Sequence, residues 1–564
     1  MPDPTDSGIP AELVDNSRTD PAGPAVAFTS TDRPRFLPQR PATAKPSANG
    51  SGQLTSNPPP RWREIAAVLA TIVLCDLTIY RGHGFAGCAA FVVGVPLLLL
   101  IGAPRLRLNW RVWLFGGMLL LLAAKLVWCG SSLLVAVGVG LIVAFAMAVA
   151  GQPPQVLEMI AFGALAIVGG AQGLSQYGRS LTRESSLIRL PWIEVLLPVL
   201  AVLLFGGIFI LANPDLVTSV SQTADTFFQN LSRWLSHFSM LEVVFWGAAA
   251  WIMIGLLRPA LAGIGGESPV STAASETPAR SSPLFGAYRN TLVTVIVLFA
   301  AYLVFEYQTL WFRQFPKGFH YSGYAHQGAA WLTFALALAT AVLSLVFRGS
   351  ILRDPRLSLL RNLAWIWSAF NLLMAMAIYN RMFIYIDFNG LTRMRMVGLF
   401  GITTVVIGFL WVVWKIARHR DFVWLIRRHL WTLAVAAYLF ALTPVDTIVV
   451  RHNVQRILAG DPAPSVQISV HPISSEGVLL LAPLAQCRDA TIREGVLAML
   501  ANREEDAEEM AREKSRLGWT TVQIADRLAL KWLRSERRQW REYHDLSARQ
   551  EALLRFHNYA YQWY

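Results

Sequence analysis

Charge is what this sequence has least of. Only 15% of its 564 residues are Asp, Glu, Lys or Arg, against about 25% in an ordinary soluble protein. That shortage excludes a cytosolic enzyme and a chain kept disordered throughout by its own charge. Cysteine is as scarce. Cys75, Cys88, Cys129 and Cys487 have no metal-ligand spacing and are too few for a secreted disulfide framework. Three fall in apolar runs and read as small buried hydrophobes, and Cys487 reads as a free thiol. There is no GxxxxGK[ST] loop, no HExxH and no nucleophile elbow, which argues against a P-loop ATPase, a zincin protease and an α/β-hydrolase. The histidines are scattered, with His320 and His326 six apart and His419 and His429 flanking a basic stretch. No metal and no cofactor is expected from them.

What is present is apolar. Hydrophobic residues make up 54% of the chain and the mean hydropathy is +0.42. A bilayer core about 30 Å thick takes about 20 helical residues to cross. Apolar stretches of that order occur at 64–80, 84–103, 112–129, 131–150, 156–174, 192–212, 240–257, 290–311, 328–347, 362–379, 396–416 and 430–449. Backbone polar groups must be satisfied within lipid, and the runs are too long and uniform for barrel strands. The expected fold is therefore an all-α polytopic transmembrane bundle of about twelve spans, in a range of eleven to thirteen.

The ends differ from this middle. Residues 1–61 are rich in Pro, Ser, Thr and Gly and read as a disordered tail without the pattern of a cleavable signal peptide. Residues 213–239 place Val220, Phe227, Leu231 and Trp234 at helical spacing, as in an amphipathic helix lying on a membrane. Residues 259–288 are Gly, Ser, Pro and Thr rich and read as a flexible loop. Residues 451–564 are soluble in composition. They should form a small helical domain, with a charged helix stopped at Gly518 and Thr521 capping the next. That helix would turn Val522, Ile524, Leu528, Trp532 and Leu533 inward, and a last helix would run over Leu546–Tyr561. The aromatic ending (Phe556, Tyr559, Tyr561, Trp563, Tyr564) suits core packing better than a membrane contact.

The net charge of +13 concentrates in 64–450, which holds 26 basic and 15 acidic residues. Basic residues between spans are topology signals rather than a nucleic-acid footprint. From the fifth connection on, the odd connections carry Arg179, Arg183, Arg189, Arg258, Arg280, Arg289, Arg348, Arg353, Arg356, Arg361, Lys415, Arg418, Arg420, Arg427 and Arg428. The even ones carry Arg233, Arg313, Lys317, Arg381, Arg393 and Arg395. At the front, Arg61, Arg63, Arg105, Arg107 and Arg111 stand on the opposite parity, with only Arg81 against them. An odd number of spans, with one helix fewer or more before residue 180, removes the conflict. It leaves the N-terminus inside a plasma membrane and the C-terminal domain outside, a cytoplasmic C-terminal domain being the alternative.

Three stretches stand out, GFHYSGYAHQGAA (318–330), MFIYIDFNGLTRM (382–394) and DTIVVRHNVQRIL (446–458). In that order they resemble bacterial polytopic membrane proteins grouped as domains of unknown function, numbers 4153 and 4173. The resemblance covers roughly residues 200–475. It implies a membrane-embedded helical architecture and no reaction.

Parity alone gathers these stretches on one membrane face. The candidate polar face comprises Asp215, Glu306, His320, Tyr321, Tyr324, His326, Arg381, Tyr385, Asp387, Asn389, Arg393, Arg395, Asp446 and Asn453. Two readings compete. In one, Asp387, His326 or Glu306 serves as a general base and the three arginines grip a phosphate or carboxylate. In the other, Asp387 caps a turn, Asn389-Gly390 supplies positive φ, Thr392 starts the next helix, and Arg and Tyr anchor the interface. Glu158, Glu194 and Glu242 sit where a carboxylate favours a helix start. Lys125 and Asp76 are ionisable groups deeper in spans, either functional or snorkelling. The expected partners are the bilayer and either anionic lipid headgroups or another envelope protein. The favoured class is an envelope sensing or scaffolding protein, ahead of a transferase on lipid-linked precursors and a secondary transporter.

Overall fold

The computed structural model describes residues 61–104, 107–184, 229, 239–258, 282–308, 321–347, 351, 354–418 and 420–563. The expected tail 1–61 (bar Arg61), the run 192–212 and nearly all of 213–239 lie outside the described residues. Every regular element described is helical. Among the described residues ten helices are long and apolar enough to cross a membrane. They are α2 (Phe85–Gly102), α3 (Trp110–Cys129), α4 (Ser132–Val149), α5 (Val156–Glu184), α6 (Met240–Leu257), α7 (Phe285–Glu306), α8 (Tyr321–Val346), α9 (Leu357–Asn389), α10 (Arg393–Arg418) and α11 (Phe422–Leu442). Before them, α1 (Trp62–Cys75) runs on into a π-helical turn, Asp76–Tyr80. The chain is an all-α polytopic protein.

Local chemistry sets several boundaries. Asn109, Ser131 and Ser239 accept from the first free backbone N–H groups of α3, α4 and α6. The apolar run 430–449 is not one helix. It begins earlier, at Phe422, and stops before Thr443-Pro444, because proline has no N–H and keeps its predecessor out of the α region. The run 362–379 extends in both directions, so Arg381, Tyr385, Asp387 and Asn389 are helical rather than in a connection. Likewise 285–288, expected in a loop, open α7.

Two apolar cores form. The first unites α1–α6 around Leu99, Leu119, Leu122, Leu126 and Phe145. The second unites α7–α11 around Leu292, Leu336, Leu343, Trp367, Ile378 and Phe409. Tyr438 and Ala441 of α11 belong to the first core and Leu425 to the second, so α11 joins the two.

Contacts between helix ends define two faces. At the face where α1 begins, Arg258, just past α6, meets Glu64, and a Cβ on Gly102 would stand 2.8 Å from Ala67. At the opposite face Arg81 meets Glu242, in the first turn of α6. The second group alternates in register, with Arg427 of α11 on Glu158 of α5 at the first face. Both ends of α5 are tied to that same face, Glu158 to Arg427 and Tyr177 to Glu64. Between them α5 crosses the last turns of α6, where a Cβ on Gly255 would stand 1.9 Å from the Ala166 carbonyl oxygen.

The chain then leaves the long helices. It builds α12 (Val445–Leu458), α13 (Ser465–Val470), α14 (Ser475–Val478), α15 (Ala490–Leu517), α16 (Ile524–Glu536) and α17 (Leu546–Tyr561), with short 3₁₀ segments between. Their shared core holds Val466, Leu484, Val496, Leu500, Trp540 and Phe556, each large side chain contributing about 2–3 kcal/mol by burial. Gly518 ends α15 at φ 91° as expected, and α17 has the expected bounds. Thr521 does not cap α16. It sits in a 3₁₀ turn and donates to the carbonyls of Lys514 and Gly518. The buried face of α16 is accordingly Ala525, Ala529 and Leu533, while Ile524 and Leu528 are exposed. Of the aromatic ending, Phe556 is core, Tyr559 and Trp563 pack against it, and Tyr561 is exposed.

These helices sit on the second face. Lys125, in the last turns of α3, is neither isolated nor snorkelling, since its ammonium pairs with Glu476 of α14. Asp76 pairs with Arg81 and accepts from the Trp246 indole.

Candidate functional site

The second face is organised around the end of α9. A helix leaves its last carbonyls without intrahelical partners, and here side chains from other elements meet them. Arg456 donates to the carbonyls of Ile386 (2.8 Å) and Asp387 (2.6 Å). Gln467 donates to that of Asn389 at 2.9 Å, and Arg395 to that of Gly390. Gly390 turns the chain at φ 93°, a conformation that favours glycine. A Cβ there would also lie 2.6 Å from the Asn453 side-chain oxygen. Asn453, fully buried, grips the turn from α12, donating to the Leu391 carbonyl and accepting from its N–H, both at 2.8 Å. Thr392 then accepts from the Arg395 N–H at the start of α10. Gly390 and Thr392 thus take the structural roles that one sequence reading assigned to them, whereas Asn389 ends α9 in helical conformation and accepts from Arg395, Asp387 has an exposed side chain instead of capping the turn, and Asn453 is the clamp.

Two candidate arginines are held by carboxylates. Arg381 forks onto Glu306 with Nε–Oε1 at 2.7 Å and Nη2–Oε2 at 2.5 Å, and Tyr302 hydrogen-bonds both partners at 3.0 Å. Both charged groups are almost wholly buried. α8 comes close enough only because residue 328 is glycine, since a Cβ there would lie 1.8 Å from an Arg381 nitrogen. Arg393 forks likewise onto Asp446, which also accepts from the Ser474 N–H at 2.9 Å. Burial pushes the Asp446 carboxyl up, but Arg393 and Ser474 outweigh it and hold it below the usual carboxylate value.

Arg395 is different. It is 5% exposed, yet among the described residues no carboxylate pairs with it. Its guanidinium donates to the Gly390 carbonyl and the Asn389 side-chain oxygen and lies 3.7 Å from the centroid of the Tyr385 ring. Its Nε is buried without a hydrogen-bond partner among the described residues. A buried cation offset only by neutral dipoles and a ring face carries a desolvation cost that an anion would relieve.

Arg395 lines a cleft of about 520 Å³ between α8, the end of α9, the start of α10 and α13. Tyr385, Asn389, Gln467 and His471 join it at the polar end, and Ala329, Ala330, Gly398, Gly401 and Ile402 line the apolar part. Partial burial, then the positive charges of Arg395 and Arg393, push His471 below the ordinary imidazole value.

Of the remaining candidates, Asp387 has an exposed side chain. Tyr321, Tyr324 and His326 lie in the first turns of α8. Asp215 and His320 lie outside the described residues. Sequence reasoning named Tyr302 as a neighbour of Glu306 and missed Arg456, Gln467 and His471. These three come from the C-terminal part of the chain, and no local pattern marks them as neighbours of α9. The expected roles of Glu158 and Glu242 at helix starts stand with added partners, Arg427 and Arg81. Glu194 lies outside the described residues.

A family model described as Domain of unknown function (DUF4153) matches residues 65–474. The match begins in α1, well before the stretch that carried the sequence resemblance, and every residue of the cleft falls within it. No curated protein and no solved structure matches the chain.

Proposed function

The chain belongs to the DUF4153 family, and from that premise we propose a binding protein of the bacterial plasma membrane that senses or scaffolds through its second face, outside the cytoplasm. One observation carries the binding role. The cleft at that face has a buried cation at its polar end, and no carboxylate is among the described residues that line it. A site built to hold an anion needs that charge. A transferase needs in addition a base beside its substrate, and Glu306 and Asp446 are engaged with arginines.

The side follows from charge. Arg61, Arg63, Arg107, Arg111, Arg258, Arg289, Arg356, Arg361, Arg418, Arg420, Arg427 and Arg428 stand toward the first face. Arg81, Arg381, Arg393 and Arg395 stand toward the second. The positive-inside rule makes the first face cytoplasmic. On this reading α5 lies along the cytoplasmic face instead of crossing. That accounts for the parity conflict and leaves the C-terminal helices outside, as a small extracytoplasmic domain.

The test is labelling of single cysteines by an impermeant maleimide in intact cells, with the native cysteines replaced. Glu551→Cys on α17 and Asp387→Cys at the exposed end of α9 should label, and Arg420→Cys should not. The reverse pattern overturns the assignment. A second reading, a transferase on lipid-linked precursors, draws on His471, an imidazole that lines the cleft and is pushed toward its neutral, basic form. It requires His471→Ala to abolish function, whereas the binding reading expects His471→Gln to preserve it.

A further inference from the structure

We propose that the cleft beneath Arg395 holds one anionic phospholipid of the surrounding leaflet, its phosphate on the Arg395 guanidinium and an acyl chain along Ala330 and Gly401. The proposal rests on the binding reading above and names its ligand.

Charge is the first argument. Arg381 and Arg395 occupy the same face, both nearly fully buried. Arg381 has its carboxylate, and Arg395 has a carbonyl, an amide oxygen and a ring. Its buried Nε has no acceptor among the described residues. A phosphate oxygen supplies the missing charge, and arginine suits it because its planar fork matches a tetrahedral anion. His471 stands at the same end of the cleft, adding a donor.

Shape and polarity supply the second. A volume of about 520 Å³ is much larger than a free phosphate fills, and most of its wall is apolar. α8 and α10 face it with small residues, Ala329, Ala330, Gly398 and Gly401. A Cβ on Gly401 would meet nothing within 4 Å, so the trough is open there. Met394, 75% exposed, flanks the mouth. A cation at the end of the spans, above an apolar trough that descends along α10, repeats the polarity of a lipid at headgroup depth. An inorganic anion would leave the trough unoccupied, and a polar solute would have to dry it.

The experiment uses the full-length protein, reconstituted in nanodiscs of equimolar phosphatidylcholine and phosphatidylglycerol and then released for native mass spectrometry. The wild type should retain one phosphatidylglycerol in preference to phosphatidylcholine. Arg395→Gln should lower that preference roughly tenfold, the worth of one charge-assisted contact. Arg395 also caps α9, so its loss can disturb folding. Gly401→Leu fills the trough without touching the cation and should abolish retention with the melting temperature unchanged. Equal retention of the two lipids by the wild type, or undiminished phosphatidylglycerol in Gly401→Leu, overturns the proposal. So does stabilisation by inorganic phosphate with no lipid retained. Retention is measured on purified protein and is blind to sidedness, so it can fail while the labelling pattern stands, and the reverse.

Discussion

Two glutamate–arginine pairs are buried at opposite faces of this protein, each with a tyrosine, and they are built differently. At the first face Arg258 and Tyr177 both converge on one oxygen of Glu64, and the other oxygen has no hydrogen-bond partner among the described residues. At the second face Arg381 engages both oxygens of Glu306. Position explains the contrast. Glu64 lies in the first turn of α1, where the helix dipole favours a carboxylate before any partner arrives. Glu306 is the last residue of α7, where the dipole opposes it. The second carboxylate therefore depends on its arginine more than the first does. Buried pairs show where a charge is compensated, and that contrast is what makes the uncompensated Arg395 informative.

The largest expected effect tests this asymmetry. Removing one partner of a buried pair costs about 3–5 kcal/mol because it strands the other charge. Arg381→Met should sit at the upper end of that range. Arg258→Met should cost less by about 1 kcal/mol, the worth of a helix terminus to a carboxylate. Thermal unfolding of the two variants in one detergent decides it, and equal losses would break the comparison. The double replacement Glu306→Leu with Arg381→Met should be less destabilising than Arg381→Met alone, because no buried charge is then left without its partner.

Next comes the clamp at the α9–α10 turn. Asn453→Ala removes both hydrogen bonds to Leu391 and leaves a buried N–H and carbonyl without their partners, a loss of about 2–3 kcal/mol. Asn453→Asp keeps the acceptor and loses the donor, so it should fall between the wild type and the alanine variant in the same melts. Were Asn453→Ala neutral, the turn would be held by Gly390 and Thr392 alone, and the second face would be less dependent on the C-terminal helices than its contacts indicate.

The sequence announced what is local and concealed what is not. The long helices were legible because an apolar run of about 20 residues has few other fates. α15 was legible because Gly518 marks its end, and the bounds read for α17, Leu546–Tyr561, agree with a start that Asp545 caps in the structure. Thr521 misled because a threonine before an apolar stretch has the same signature whether or not its hydroxyl points at the helix. Arg381 and Asp387 made the end of α9 look like a loop. Arg381 is tolerated in a helix because Glu306, 75 positions away, pairs with it, and Asp387 because its side chain is exposed, while Arg456, 69 away from Asp387, meets the carbonyls that end the helix. Parity alone gathers the candidate polar face, of which Glu306, Arg381, Arg393, Arg395, Asp446 and Asn453 stand at the second face while Asp215 and His320 lie outside the described residues. Its division into paired arginines and one arginine without a carboxylate depends on distances between elements, which spacing cannot express.

The smallest effects belong to pairs outside the bundles, and they sharpen the contrast between buried and exposed charge. Arg393 and Asp446 join α10 to α12. The folded Asp446 carboxyl titrates below its ordinary value, so its contribution is fully present above the unfolded carboxylate pKa and is lost as pH falls through the folded one. An acid-induced loosening of the C-terminal helices, followed by limited proteolysis, should therefore begin only below the ordinary carboxylate range, and in Asp446→Asn should lose that pH dependence. Arg534 and Glu508 are the opposite case, a pair between α15 and α16 with the arginine side chain 58% exposed. Water screens both charges and the side chains give up rotamer freedom to meet, so Arg534→Ala should cost less than about 1 kcal/mol. If it costs as much as Arg258→Met, burial is not what separates strong pairs from weak ones here, and the significance given to Arg395 falls with it.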